Sequence, residues 1–238
     1  MKDKILEQKL ASLDWANISA NMNQKGYALL PKILPDEYCS GMIRDYENPS
    51  LYRKTIQMER FRFGSGEYKY FDYPLPSAID TLRNSLYPFL APIANGWMHS
   101  LGLERQFPSH LERLHELCRE HNQTKATVLI LKYGTGGHNT MHQDLYGEIF
   151  FPMQAVLFLN EPFIDYEGGA FVMLEQKPRA QSKAIVLQPA KGDMLIFTTQ
   201  FRPVKGSKAY YRVNMKHGVS EVLSGNRHTL GIIFHDAL

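Results

Sequence analysis

The hydrophobic and polar positions change period near residue 124 of the 238. Ahead of it, apolar residues recur mostly at helical spacing. Residues 13–24 predict an amphipathic helix ended by Gly26, followed by an extended stretch at 27–30. Pro35, Asp36 and Glu37 place a proline and two acids where a helix start favours them, and residues 38–46 continue that helix. Residues 77–101 predict a long helix kinked at Pro88 and Pro92, and residues 109–121 another with Leu111, Leu114 and Cys118 on its apolar face. Between them, residues 58–73 carry aromatic-rich arms around Gly64, Ser65 and Gly66, the pattern of a β-hairpin.

After residue 124 the pattern is that of strands. The runs 126–133, 149–159, 170–174, 184–188, 194–198, 211–216 and 227–234 are short, rich in β-branched or aromatic residues, and bounded by Gly, Pro or charged turns. So many strands without intervening helices predict a mainly β fold with flanking helices, a sandwich or jelly-roll barrel. The expected organisation is one domain over 1–238. Residues 1–123 would form mostly helical support outside the barrel, and 124–238 the barrel itself.

Composition narrows the class. At 44% hydrophobic and 21% charged, the chain is a globular one, and its apolar runs are too short to span a bilayer. The first residues lack the continuous apolar stretch of a secretory signal. Two cysteines, Cys39 and Cys118, are too few for a disulfide framework and read as small buried apolar residues, so a reducing cytoplasm is the expected location. The net charge of +3 decides nothing about nucleic acid. The nine histidines are more informative, because imidazole ligates metals and carries protons.

Chemistry gathers in the β half. In extended chain, residues two apart face the same side, so His142 and Asp144 can address one centre. His217 ends one predicted strand, and Arg227 opens the last. Two histidines and one carboxylate with open positions left over form the facial triad of non-haem Fe(II) oxygenases. A planar guanidinium suits the far carboxylate of a cosubstrate, which it can bind through two parallel bonds. If Arg227 faces inward, Thr229, Gly231 and Ile233 do too; Thr229 would add a hydroxyl, and Gly231 would leave space.

The order of these motifs resembles the Fe(II)/2-oxoglutarate-dependent oxygenases, which are built on a double-stranded β-helix. Residues 133–144 are similar to the AlkB-like branch in particular, with Tyr133 nine residues before the His-Gln-Asp run and Gly136 three after the tyrosine. The segments GEYKYFDYPLP, LYGEIFFP, YRVNMKHGVS and RHTLGIIFHDA look like a bacterial family described as AlkB-like oxygenases acting on damaged DNA. The resemblance implies that His142, Asp144 and His217 hold Fe(II), and that Arg227 and Tyr133 bind 2-oxoglutarate. It implies that O2 is the second cosubstrate and that a C–H bond is oxidised as 2-oxoglutarate becomes succinate. Two positions depart from the repair enzymes: Leu131 stands where they carry Asn, and Ile233 where they carry a second Arg. The second departure weakens the link to nucleic acid but leaves the oxygenase chemistry intact.

The expected substrate is accordingly an alkylated base in DNA or RNA, demethylated oxidatively. The alternatives are hydroxylation of a protein side chain or small metabolite and, more remotely, a non-catalytic metal-binding jelly roll. Phe61, Tyr68, Tyr70 and Phe71 are candidates to stack a base, with Arg60 and Arg62 near its phosphates, against a plain reading as a hairpin covering the barrel. Residues 201–216 hold Arg202, Lys205, Lys208, Arg212 and Lys216 and no acid, a basic stretch read as a solvated loop or the edge of the active-site mouth. His138 is expected in a loop near the site, and His228 is expected to face away from Arg227.

Overall fold

The computed structural model describes residues 2–238. The chain opens with helices α1 (Lys2–Ala11) and α2 (Trp15–Lys25), strand β1 (Tyr27–Leu30) and helix α3 (Asp36–Asp45). Strands β2 (Tyr52–Gln57), β3 (Gly64–Ser65) and β4 (Glu67–Phe71) precede helices α4 (Ser77–Ser100) and α5 (Leu111–Glu120). Then come β5 (Leu129–Tyr133), β6 (His138–His142), β7 (Met153–Phe158), β8 (Tyr166–Gly168), β9 (Phe171–Gln176) and β10 (Lys183–Leu187). The last five are β11 (Met194–Thr198), β12 (Phe201–Lys205), β13 (Tyr210–Val219), β14 (Val222–Gly225) and β15 (Arg227–Ile233).

Two antiparallel sheets make the jelly roll. The larger runs β1-β11-β7-β15-β5-β4-β2, and the smaller runs β10-β9-β13-β6-β3 with β12 beside β13. Strands β7 and β11 are apolar on both faces apart from Gln154 and Thr198, because both faces are covered. Met153, Ala155 and Leu157 of β7 join Met194 and Ile196 of β11 in the core under the helices. Their alternates Val156, Phe158, Leu195 and Phe197 pack between the sheets against Phe171, Met173, Val213 and Met215. Strand β15 follows the same period, sending Leu230 and Ile232 to the helical side.

The helices are cut where local chemistry dictates. Asp14 caps α2 by accepting from the Asn17 N–H at 2.9 Å, and Gly26, at φ 79°, closes it by donating to the Met22 carbonyl. Helix α4 runs its 24 residues with Pro88 and Pro92 inside the span. Its buried Arg83 donates to the Ile233 and Phe234 carbonyls and pairs with Asp236 at 2.8 Å, fastening the chain's end to the sheet.

Three expectations change. Residues 2–11 form a helix that the sequence reading passed over. The first 123 residues are also more than outer helical support, since β1, β2 and β4 extend the larger sheet at both edges. Finally, residues 58–73 are not a hairpin about Gly64–Gly66. Strand β4 pairs with β2 and β5, while β3 crosses to β6 in the other sheet. The antiparallel arms are β2 and β4, so the first arm lies N-terminal to the expected one, and the connection between them closes with Met58 N–H donating to the Gly66 carbonyl at 2.9 Å.

Candidate active site

Neighbouring strands bring the histidines together. His217 of β13 sits opposite His142 of β6 in the ladder, their rings 4.3 Å apart, and Asp144 follows β6 by two residues. His142, Asp144 and His217 each offer a ligand atom within 4.8 Å of the others, and no other such group occurs among the described residues. His217 Nε2 lies 3.3 Å from Asp144 Oδ2, and His142 Nε2 lies 3.6 Å from Oδ1. Two donors each ~2.1 Å from one ion and at right angles would stand about 3 Å apart, so the spacing fits a bound metal. The Thr140 carbonyl accepts from His142 Nδ1 at 2.7 Å, which leaves the Nε2 lone pair free for an ion.

Burial acts to raise the Asp144 pKa, but His217, His142 and the Gln154 amide outweigh it and hold the carboxyl well below the usual range. Burial, with His142 nearby, lowers the pKa of His217, keeping the imidazole neutral as ligation requires.

The three residues open on a cavity of about 280 Å³, close to the lower end of the ~300–1,000 Å³ common for small-ligand sites. Arg227, Thr229, Gly231 and Ile233 all line it, as their alternation on β15 predicts. Arg227 is 1% exposed, and no described carboxylate pairs with it. Its Nε and Nη1 have no partner, while the Tyr133 and Phe158 rings flank it at 5.5 Å. A buried, unpaired cation is costly unless a ligand supplies the anion. Tyr133 is fully buried, its phenol accepts from the Asn139 amide at 3.2 Å, and burial pushes its pKa up to about 12, so it is a neutral donor. The donor set therefore suits Fe(II) at one end of the cavity, and Arg227 suits a dicarboxylate reaching toward the other.

The remaining wall is aromatic and aliphatic: Phe63, Tyr68, Tyr70, Leu131, Tyr146 and Ile233. Tyr68 and Tyr70 are thus at the cavity, whereas Arg60 and Arg62 are exposed and do not line it. The basic stretch at 201–216 is neither a loop nor the cavity rim; it folds as the β12–β13 pair. Arg202 is buried against Glu175 at 2.5 Å, Arg212 lies over the Phe201 ring, and none of the five lines the cavity. His138 lies on β6 rather than in a loop and is outside the ligand group. His228 turns away from the cavity and bonds to Asn160. Cys39 and Cys118 are buried free thiols.

Two residues escaped the sequence reading. Tyr146 donates to Asp144 Oδ1 at 3.1 Å, and Gln154 donates to Oδ2 at 2.8 Å. Tyr146 stands two residues after Asp144, and Gln154 is the lone polar side chain in β7. Both signals were present and neither was distinctive alone.

Comparison with known proteins agrees with this geometry. The fold is similar to a Pseudomonas putida prolyl-4-hydroxylase, with TM-score 0.58 and 14% identity over 94% of this chain and 99% of that one. It is similar also to a Burkholderia pseudomallei oxidoreductase of the 2OG-Fe(II) oxygenase family, with TM-score 0.55 and 14% identity over 95% of this chain and 94% of that one. A prolyl hydroxylase from Trichoplax adhaerens, solved with a hypoxia-inducible-factor peptide fragment, gives TM-score 0.58 and 14% identity, covering 97% of this chain and 92% of that one. An uncharacterized protein of Mycobacterium tuberculosis is 45% identical over 167 residues, 70% of this chain and 72% of its own length. Fold and site together define a 2OG-Fe(II) oxygenase, an enzyme whose cofactor is Fe(II) and whose cosubstrates are 2-oxoglutarate and O2. The chain belongs to the family described as "Oxygenase, catalysing oxidative methylation of damaged DNA", whose sequence profile matches residues 66–237. No described helix is long and apolar enough to cross a membrane.

Proposed function

We propose that His142, Asp144 and His217 bind Fe(II), that Arg227 with Thr229 and Tyr133 binds the distal carboxylate of 2-oxoglutarate, and that the enzyme oxidatively demethylates alkylated bases in DNA or RNA. The observation that carries this reading is Arg227, a buried guanidinium without a carboxylate partner lining the same cavity as the three ligand atoms. When bound, the iron and 2-oxoglutarate would supply, with O2 as the oxidant, the oxidation of a C–H bond coupled to loss of carbon dioxide and formation of succinate. Arg227 orients the cosubstrate by charge and shape, and the neutral Tyr133 and Thr229 hydroxyls complete its hydrogen bonds. The Tyr68 and Tyr70 wall gives a flat substrate a stacking surface and keeps water from the reacting carbon. Arg60 and Arg62 are assigned to phosphates outside the cavity. Hydroxylation of an N-methyl carbon yields formaldehyde and the free base.

A second reading, hydroxylation of a protein side chain, is favoured by Leu131 and Ile233, which make this wall apolar where a second arginine would have met a base. The deciding measurement is 2-oxoglutarate-dependent formaldehyde release from N-methylated oligonucleotides, with succinate followed in parallel. Iron-dependent release that His142→Ala abolishes is expected. Coupled succinate formation with peptides or amino acids alone would replace the base with a protein or metabolite substrate.

A further inference from the structure

We propose that Gln154 is a positioning residue of the metal site, its amide N–H groups tying Asp144 to His217 in the orientation from which both ligate. This deepens the ligand assignment made above and rests on it. Gln154 is 4% exposed in a strand whose five other residues are apolar. Its Nε2 donates to Asp144 Oδ2 at 2.8 Å and lies 3.3 Å from His217 Nε2. Its Oε1 is buried and has no partner. A half-satisfied buried amide is unfavourable for stability, and an apolar side chain of the same size would fill the space without that penalty. Its place is therefore explained by what the N–H groups hold.

The two histidines show why such a group is needed. His142 is oriented by the Thr140 carbonyl at its Nδ1. His217 has no equivalent, since its Nδ1 is buried without a partner and its neighbours include the rings of Phe171 and Phe197. A donor facing Nε2 favours the tautomer whose lone pair sits there, the one able to ligate, against the Asp144 Oδ2 acceptor 3.3 Å from the same nitrogen. Asp144 has a similar need, because the terminal torsion of an aspartate is broad and poorly self-orienting. Tyr146 takes one oxygen and Gln154 the other, so the carboxylate is fixed from both sides. His217 Nε2, the longer of the amide's two contacts, would hold a bound ion, while the 2.8 Å bond from Gln154 would keep Asp144 oriented.

The test is Mn(II) binding to the full chain, followed by electron paramagnetic resonance, in Gln154→Met and Gln154→Leu. Loss of an outer hydrogen-bond partner is expected to weaken binding by about 10–100-fold. The metal-free melting temperature should not fall, and the Co(II) visible spectrum should change as Asp144 loses its fixed orientation. Wild-type Mn(II) affinity with an unchanged Co(II) spectrum in either folded variant would overturn the role. So would lowered metal-free stability without lowered affinity. If His142→Ala leaves Mn(II) binding intact, the ligand set itself has failed, and Gln154's role falls with it.

Discussion

Arg227 shows how much one residue can reveal when its surroundings are known. Its guanidinium is buried among aromatic rings with two nitrogens unbonded, and burial lowers its pKa against only the partial compensation of the Tyr166 and Tyr133 phenols. Charge-assisted bonds to such a group are worth roughly 1.5–3 kcal/mol each. Arg227→Met is therefore expected to raise KM for 2-oxoglutarate at least about tenfold, with kcat at saturation changed less. Arg227→Lys should recover only part of the loss, because an ammonium is a point charge rather than a fork. Initial rates of succinate formation against 2-oxoglutarate concentration check this, and an unaltered KM in Arg227→Met would refute the assignment.

The elements matter through the places where they must approach closely. Gly66 lies between β3 and β4 at φ 143°, and a Cβ there would come 2.8 Å from the Tyr133 ring. The connection that delivers Tyr68 and Tyr70 to the cavity therefore passes directly over a proposed cosubstrate residue, and only glycine fits. Gly66→Ala is expected to cost about 1–3 kcal/mol, read from the denaturant midpoint, because strain and contact add. It should also raise KM for 2-oxoglutarate by displacing Tyr133. A midpoint and KM equal to wild type would show that the segment relaxes freely.

The whole molecule carries a pH signature from histidines outside the proposed ligand set. His228 and His235 are buried and His115 half-buried, all mainly neutral, with pKa values pushed by burial down to about 4. In the unfolded chain each titrates near ~6.5. Between those values the unfolded state binds protons that the folded state does not, so stability falls as pH drops through about 6.5 and levels off below about 4. The loss should be on the order of 3 kcal/mol per histidine at most, followed as denaturation midpoints of the metal-free chain. His235 accepts from the Phe151 N–H through Nδ1, a bond that an asparagine oxygen can replace, so His235→Asn should shallow the dependence. A flat profile from pH 7 to 5 would contradict this.

Much of this molecule is determined along the chain, because a strand's period of two and a helix's caps are local properties. The pattern alone set the mainly β class, the residues that share one face of β15 and the spacing that lets His142 and Asp144 address one centre; it left a sandwich and a jelly roll open, and the family resemblance pointed to the jelly roll. Pairing between distant strands is a different matter, since it depends on which edges meet after collapse. Only the tertiary structure put His217 opposite His142, gave β4 its partners β2 and β5, and folded the basic stretch away from the cavity. It also turned Gln154 of β7, and Tyr146 ahead of that strand, onto Asp144, which their spacing alone could not announce. Local spacing fixes which way a side chain faces, whereas its partners are chosen by the sheets that close around it.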